Sequence, residues 1–188
     1  ITFFVTDGHS TDSIKATIVV DTLKQKVSID KKLIATLNKE FTYNLPAAEK
    51  YYILKGPSNL RISNKGTVHW IPINTQTGKN PVEIEIKGQQ ESYTYALEIF
   101  VNAPPIISYR PEKIEYINHK DKFQFQLQNF DLNTNQSLFW NLGTGPEGMF
   151  LENSDINWQA DKLDIHKYII ELSDSIDVNR FNGILYVN

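Results

Sequence analysis

Cysteine is absent from the 188 residues, which excludes a disulfide framework and any thiolate metal site and leaves the redox compartment open. Also missing is any apolar run long enough to cross a bilayer as a helix, and the N-terminus has no basic segment followed by an apolar one. An excess of positive charge is missing too. With a formal net charge of −3, the chain has no basic field of the kind that draws a protein to nucleic acid. Helical periodicity is rare as well: few stretches carry apolar residues at helical spacing for three turns.

Signatures of common chemistry are equally thin. No Gly-x-Ser-x-Gly elbow occurs, and the glycines of LGTGPEGM (142–149) are followed by no Gly-Lys-Ser/Thr, so they read as a turn. Carboxylates are plentiful, but nothing selects two of them as a glycosidase pair. The four histidines, His9, His69, His119 and His166, are too far apart in sequence to declare a metal motif, and solvated surface is the default for the first three. The expectation is a protein that is not an enzyme.

What is there is alternation. Short runs of period two, bounded by Gly, Pro, Asn and Asp, recur along the chain, as in Ile1 to Thr6, Tyr51 to Lys55, Val82 to Lys87, Tyr93 to Val101 and Asp155 to Gln159. The fold class this predicts is all-β. A repeat organises the runs: ITFFVTDGHSTDSIKATIVVD (1–21) aligns without gaps to VEIEIKGQQESYTYALEIFVN (82–102) and to YIIELSDSIDVNRFNGILYVN (168–188). Each copy reads as strand, polar turn, strand, with apolar residues at alternate positions; Gly183 alone interrupts the inward set. Copies end on Asp21, Asn102 and Asn188, at separations that suit β-sandwich modules.

A second shared pattern precedes the hairpin. GPSNLRISNKGTVHW (56–70) matches GPEGMFLENSDINW (145–158): a proline turn, a short apolar strand, a tight turn, and a strand reaching tryptophan. Three units follow from these repeats: the closing hairpin of a preceding, incomplete module at 1–21, a sandwich at 22–102 and a second sandwich at 103–188. The start at Ile1, inside a strand, is read as a fragment or a processed product. Charge alternates in sign, negative for 1–21 and 103–188 and positive for 22–102.

The Pro57–Trp70 and Pro146–Trp158 segments, the alternating strand pairs after them and the Val101-Asn102-Ala103-Pro104-Pro105-Ile106 junction resemble the cadherin-like and immunoglobulin-like repeats of bacterial surface proteins, including the dystroglycan-type cadherin-like group. The resemblance implies tandem immunoglobulin-like or cadherin-like antiparallel β-sandwiches in a large exported or cell-surface protein. It implies a non-catalytic spacer or adhesion role, with an accessory domain of a secreted enzyme or a carbohydrate-binding module as the alternatives. Expected partners are a protein or glycan at a cell surface, or neighbouring modules of the same chain, and no nucleic acid. The implied location is extracellular, cell-surface or periplasmic.

Calcium-binding members of that family carry clustered acidic motifs at module junctions, and this chain departs from the pattern. No cofactor is expected other than a single weak calcium site at Asp131, Asn133 and Asn135, with Asp174 or Asp177 as further donors, since calcium wants six to eight converging oxygens. The competing reading of Asp131 to Asn135 is an Asx-rich turn. Trp70 and Trp158, at matching repeat positions, are read as core residues, and their exposure would favour a sugar platform. Trp140 has no counterpart in the other module. The double proline at 104–105 predicts a stiff joint.

Overall fold

The computed structural model describes residues 2–6, 11–15, 26–28, 32–89 and 91–188. Among them the regular secondary structure is all strand apart from one 3-10 turn at Asn74–Gln76. The first two strands, β1 (Thr2–Thr6) and β2 (Thr11–Lys15), form an antiparallel hairpin. Its inward face, and His9 in its turn, lie outside the described residues.

The first sandwich follows. One sheet holds β3 (Lys26–Ser28), β4 (Leu33–Thr36), β6 (Lys50–Lys55), β9 (Gly78–Lys87) and β10 (Ser92–Asn102). The facing sheet holds β5 (Phe41–Asn44), β7 (Arg61–Ile62) and β8 (Thr67–Trp70). Val82, Ile84 and Ile86 of β9 and Leu97, Ile99 and Val101 of β10 are all buried, and they pack in one cluster with Leu60, Val68 and Trp70. The period-two pattern turned these side chains to one face, and burying them supplies the main driving force for closing the sheets.

The second sandwich repeats the plan. β12 (Ile114–Ile117), β19 (Val178–Val187), β18 (Ile165–Ser173) and β15 (Phe139–Thr144) form one sheet; β13 (Lys122–Gln126), β17 (Asp155–Gln159) and β16 (Phe150–Glu152) form another. A short pair joins β11 (Ile106–Tyr109) to β14 (Gln128–Phe130). Its core gathers Phe123, Ile156, Trp158, Tyr168, Ile170, Leu172, Phe181 and Leu185.

The three hairpins share one register. Phe3 pairs with Ile14, Ile84 with Tyr95 and Ile170 with Phe181, which are the same repeat positions. The proline turns correspond too: the Leu60 amide donates to the Pro57 carbonyl at 3.0 Å and the Met149 amide to Pro146 at 3.1 Å, burying Leu60 and Met149 at matching points. Each indole then ties its strand back to that turn, Trp70 through the Asn59 side chain and Trp158 through the Glu147 carbonyl, both at 3.0 Å.

One detail departs from a purely antiparallel reading. β3 and β4 run parallel to β10, and β12 runs parallel to β19. Gly183 proves to be a fitted position: the Tyr168 ring lies where a side chain would be, 2.1 Å from the place a Cβ would take.

Candidate functional site at the junction of the sandwiches

Neighbouring modules meet at Asn102, the last residue of β10, which is fully buried. Its backbone carbonyl accepts from Leu37 N–H at 2.7 Å, so the end of β10 is fixed to its own sandwich. Its side chain belongs to the next one. The Asn102 amide nitrogen donates to Asp174 Oδ2 at 2.8 Å and Asp177 Oδ2 at 2.9 Å, and its Oδ1 accepts from Gln136 Nε2 at 2.9 Å.

Asp174 and Asp177 sit in the turn between β18 and β19. Asp174 Oδ1 accepts from the Ile176 and Asp177 amides at 2.7 and 2.6 Å, a tight Asx turn that presents Oδ2 to Asn102. The turn after β14 supplies the rest. Asp131 Oδ1 accepts the Asn133 amide at 2.7 Å; the Asn133 side chain then clamps the linker, accepting from Ala103 N–H at 2.7 Å and donating to the Val101 carbonyl at 3.0 Å. Asn179 adds a bond to the Pro105 carbonyl at 2.9 Å. Five side chains of the second sandwich thus satisfy polar groups of residues 101–105 that burial would otherwise leave unpaired.

The three residues read from sequence as calcium donors separate here. Asn133 is buried with its amide committed to the linker, and Asn135 is exposed and bonds to no described residue. Asp131 alone turns a free oxygen inward: its Oδ2, like Gln136 Oε1, is buried without a partner among the described residues. Burial, reinforced by the nearby Asp174 carboxylate, pushes the Asp131 pKa up, against the pull of the Asn133 amide. Among the described residues no three acidic or histidine side chains gather closely enough to hold a metal ion. The buried free oxygens beside the joint are Asp131 Oδ2 and Gln136 Oε1, whereas Asp174 Oδ2 and Asp177 Oδ2 already accept from the Asn102 amide.

Asn102 and Gln136 escaped the sequence reading, Asn102 having been taken only for a strand terminator. The available signal was an amide immediately before Ala-Pro-Pro, opposite two turns rich in Asp and Asn.

The remaining candidates are structural. Trp70 and Trp158 are buried, and Trp140 is half-buried against the second core. His69 faces solvent beside Glu40 at 3.2 Å, His119 contacts the Asp161 carbonyl, and His166 packs edge-on against Trp158 with ring centroids 4.8 Å apart.

No protein-family profile matches the chain, and no curated protein matches it. Solved structures do. Extracellular domains 3–5 of Drosophila OTK superimpose with a TM-score of 0.56 at 14% identity, over 97% of this chain and 68% of that one. The insect immune protein hemolin gives a TM-score of 0.47 at 14% identity, covering 85% of this chain and 46% of its own. Immunoglobulin domains 1–4 of Sidekick-1 give 0.44 at 13% identity, covering 88% and 46%. At these identities the likeness concerns the fold, which is all-β and immunoglobulin-like. No helix among the described residues is long and apolar enough to cross a membrane.

Proposed function

We propose that this chain is a non-catalytic spacer or adhesion segment of a tandem array in an exported or cell-surface protein, of the cadherin-like kind its repeats resemble. The observation that carries this reading is the buried Asn102 bridge between one sandwich and two turns of the next. A spacer has to transmit orientation. A flexible linker between independent domains needs no buried amide shared by two carboxylates, whereas a joint that holds its angle does.

The absence of cysteine makes the test simple. Spin labels on Lys65→Cys and Lys167→Cys, both exposed positions on different sandwiches, report the distance between modules. A narrow distribution that broadens in Asn102→Ala is the expected result; an equally broad distribution in the parent protein refutes a fixed joint. The joint takes calcium weakly and at one site at most, on Asp131 with Gln136 and the Asp174–Asp177 turn, because the amides of Asn102 and Asn133 already perform the neutralising and clamping that a junction cation would perform.

A further inference from the structure

The far end of the second sandwich reproduces the end of the first that forms the joint. Asn38 and Lys120 hold the same place in the turn that follows the parallel strand, both in the left-handed region at φ 59° and 73°. The Lys39 amide closes one turn on the Thr36 carbonyl at 3.1 Å, and the Asp121 amide closes the other on the Asn118 carbonyl at 3.0 Å. Each turn is pinned to the segment just past a tryptophan: Asn38 N–H donates to the Pro72 carbonyl at 3.0 Å and Lys120 N–H to the Ala160 carbonyl at 2.8 Å. Each also fixes the end of the exit strand. Leu37 N–H donates to the Asn102 carbonyl at 2.7 Å, and His119 N–H to the Asn188 carbonyl at 2.9 Å. Bond for bond, Asn188 stands in the setting of Asn102.

What differs is the cover. Asn102 is buried because two turns of the next sandwich close on it, whereas Asn188 is exposed and its side chain bonds to no described residue. An asparagine amide there offers the same two N–H donors and one acceptor that Asp174, Asp177 and Gln136 satisfy at Asn102. The flanking residues correspond as well. Tyr186 and Leu163 take the places of Phe100 and Thr77, which border the cleft between the two sandwiches together with Leu132. Leu163 is 66% exposed, an apolar side chain with nothing yet to cover it. Asp164 takes the place of Gly78, where an added side chain would meet nothing within 4 Å, so the change leaves room for a docked turn. Its Oδ1 is already engaged by the Ile165 amide at 2.7 Å.

We infer that Asn188, the turn at 118–121 and Leu163 form a second joint face, and that it takes one kind of partner: the leading end of a sandwich built like 103–188. That end carries an Asp-x-x-Asp turn before its last strand and a long Asx turn with a glutamine. The inference rests on reading the Asn102 joint as a fixed one. The leading end of the first sandwich does not meet the same description. Its turn at 88–91 has one carboxylate, Glu91, and the loop before β6 is cut to Leu45–Glu49. Between them lies an open cleft of about 350 Å³ lined by Ala47, Ala48, Ile86, Gln89 and Tyr93, among others. The second carboxylate and the clamp that Asn133 supplies are both missing from it. Order along an array is therefore written into the ends: a unit of the second kind fits behind Asn188, and a unit of the first kind does not.

The test extends the 188-residue chain with a second copy of residues 103–188, so that Asn188 enters Ala-Pro-Pro as Asn102 does. Spin labels on Lys167→Cys in both copies report the new joint, and the Lys65→Cys and Lys167→Cys pair in the same protein reports the original one. A narrow distance distribution at the new joint that broadens in Asn188→Ala is the expected result. Asn188 is exposed, so this substitution leaves the sandwich that carries it intact. Asn188→Asp sets a third carboxylate against the two aspartates and should broaden the distribution as well. The inference is overturned if the new joint is broad while the original is narrow, or if Asn188→Ala leaves a narrow distribution unchanged. Broad distributions at both joints overturn the fixed-joint reading, and this inference with it.

Discussion

Replacing Gly183 by alanine is the sharpest test of how the repeat was adapted in the last module. A Cβ there would sit 2.1 Å from Tyr168 Cζ and 2.4 Å from its hydroxyl, far inside van der Waals contact. The ring has to retreat by more than 1 Å, on the order of a methyl radius. It has little room: Tyr168 is 1% exposed, with Phe123 and Phe181 each at a centroid distance of 6.0 Å. Overpacking of a filled core costs about 1–3 kcal/mol, offset by about 0.5–1 kcal/mol from removing a mid-strand glycine. A net loss of about 1–2 kcal/mol lowers the melting temperature of a domain this size by roughly 4–16 °C. Differential scanning calorimetry reads that directly. Tyr168→Leu in the same chain should recover part of the loss, because the shorter side chain vacates the clash, and a double-mutant cycle would show strong non-additivity. If Gly183→Ala melts within a degree of the parent, the ring is not locked against that strand and the packing argument is wrong.

Further outcomes follow from the joint and the cores. Tyr168→Phe, which deletes an unpartnered buried hydroxyl, should leave stability unchanged or raise it in a denaturant titration. Asp131→Asn keeps the oxygen that accepts the Asn133 amide. Since the native carboxyl is raised above its ordinary value, its ionised form costs stability at neutral pH, a cost relieved as pH falls through the folded-state value; the variant should melt higher at pH 7 and show less gain on acidification. Millimolar calcium should shift the melting temperature little: a site half-saturated at that concentration contributes about 0.4 kcal/mol, and a rise of many degrees would show a well-formed site. Trp70→Ala, by contrast, should cost about 3–5 kcal/mol in the first sandwich and leave the second transition in place.

The long hairpins were legible because their apolar residues alternate over whole strands, so one sequence alignment fixed both their inward faces and their common register. The proline turns and the tryptophans at 70 and 158 were legible for a similar reason, since a local pattern recurs around them. β4 and β12 were not. Each has four residues, too few for period two to stand out, and their pairing partners lie more than sixty residues away at the far end of the module. Gly183 looked like a defect because its compensation, the Tyr168 ring, comes from the facing strand. The joint was legible only in part: Asp131 and Asn133 announce a turn, whereas the role of Asn102 depends on a turn more than seventy residues downstream.

The parallel strands have a mechanical meaning. In each sandwich a strand near the entrance of the module runs beside the strand at its exit, with Thr36 opposite Asn102 and Ile117 opposite Val187. Tension applied to the two ends of a module pulls these neighbours in opposite directions along their length. All four residue pairs of the ladder are then loaded in shear at once, instead of being unzipped one after another. Resistance to stretching is set by the rate of that collective rupture and not by equilibrium stability. A chain of such modules would hold its length under a pulling force until an entire ladder gave way.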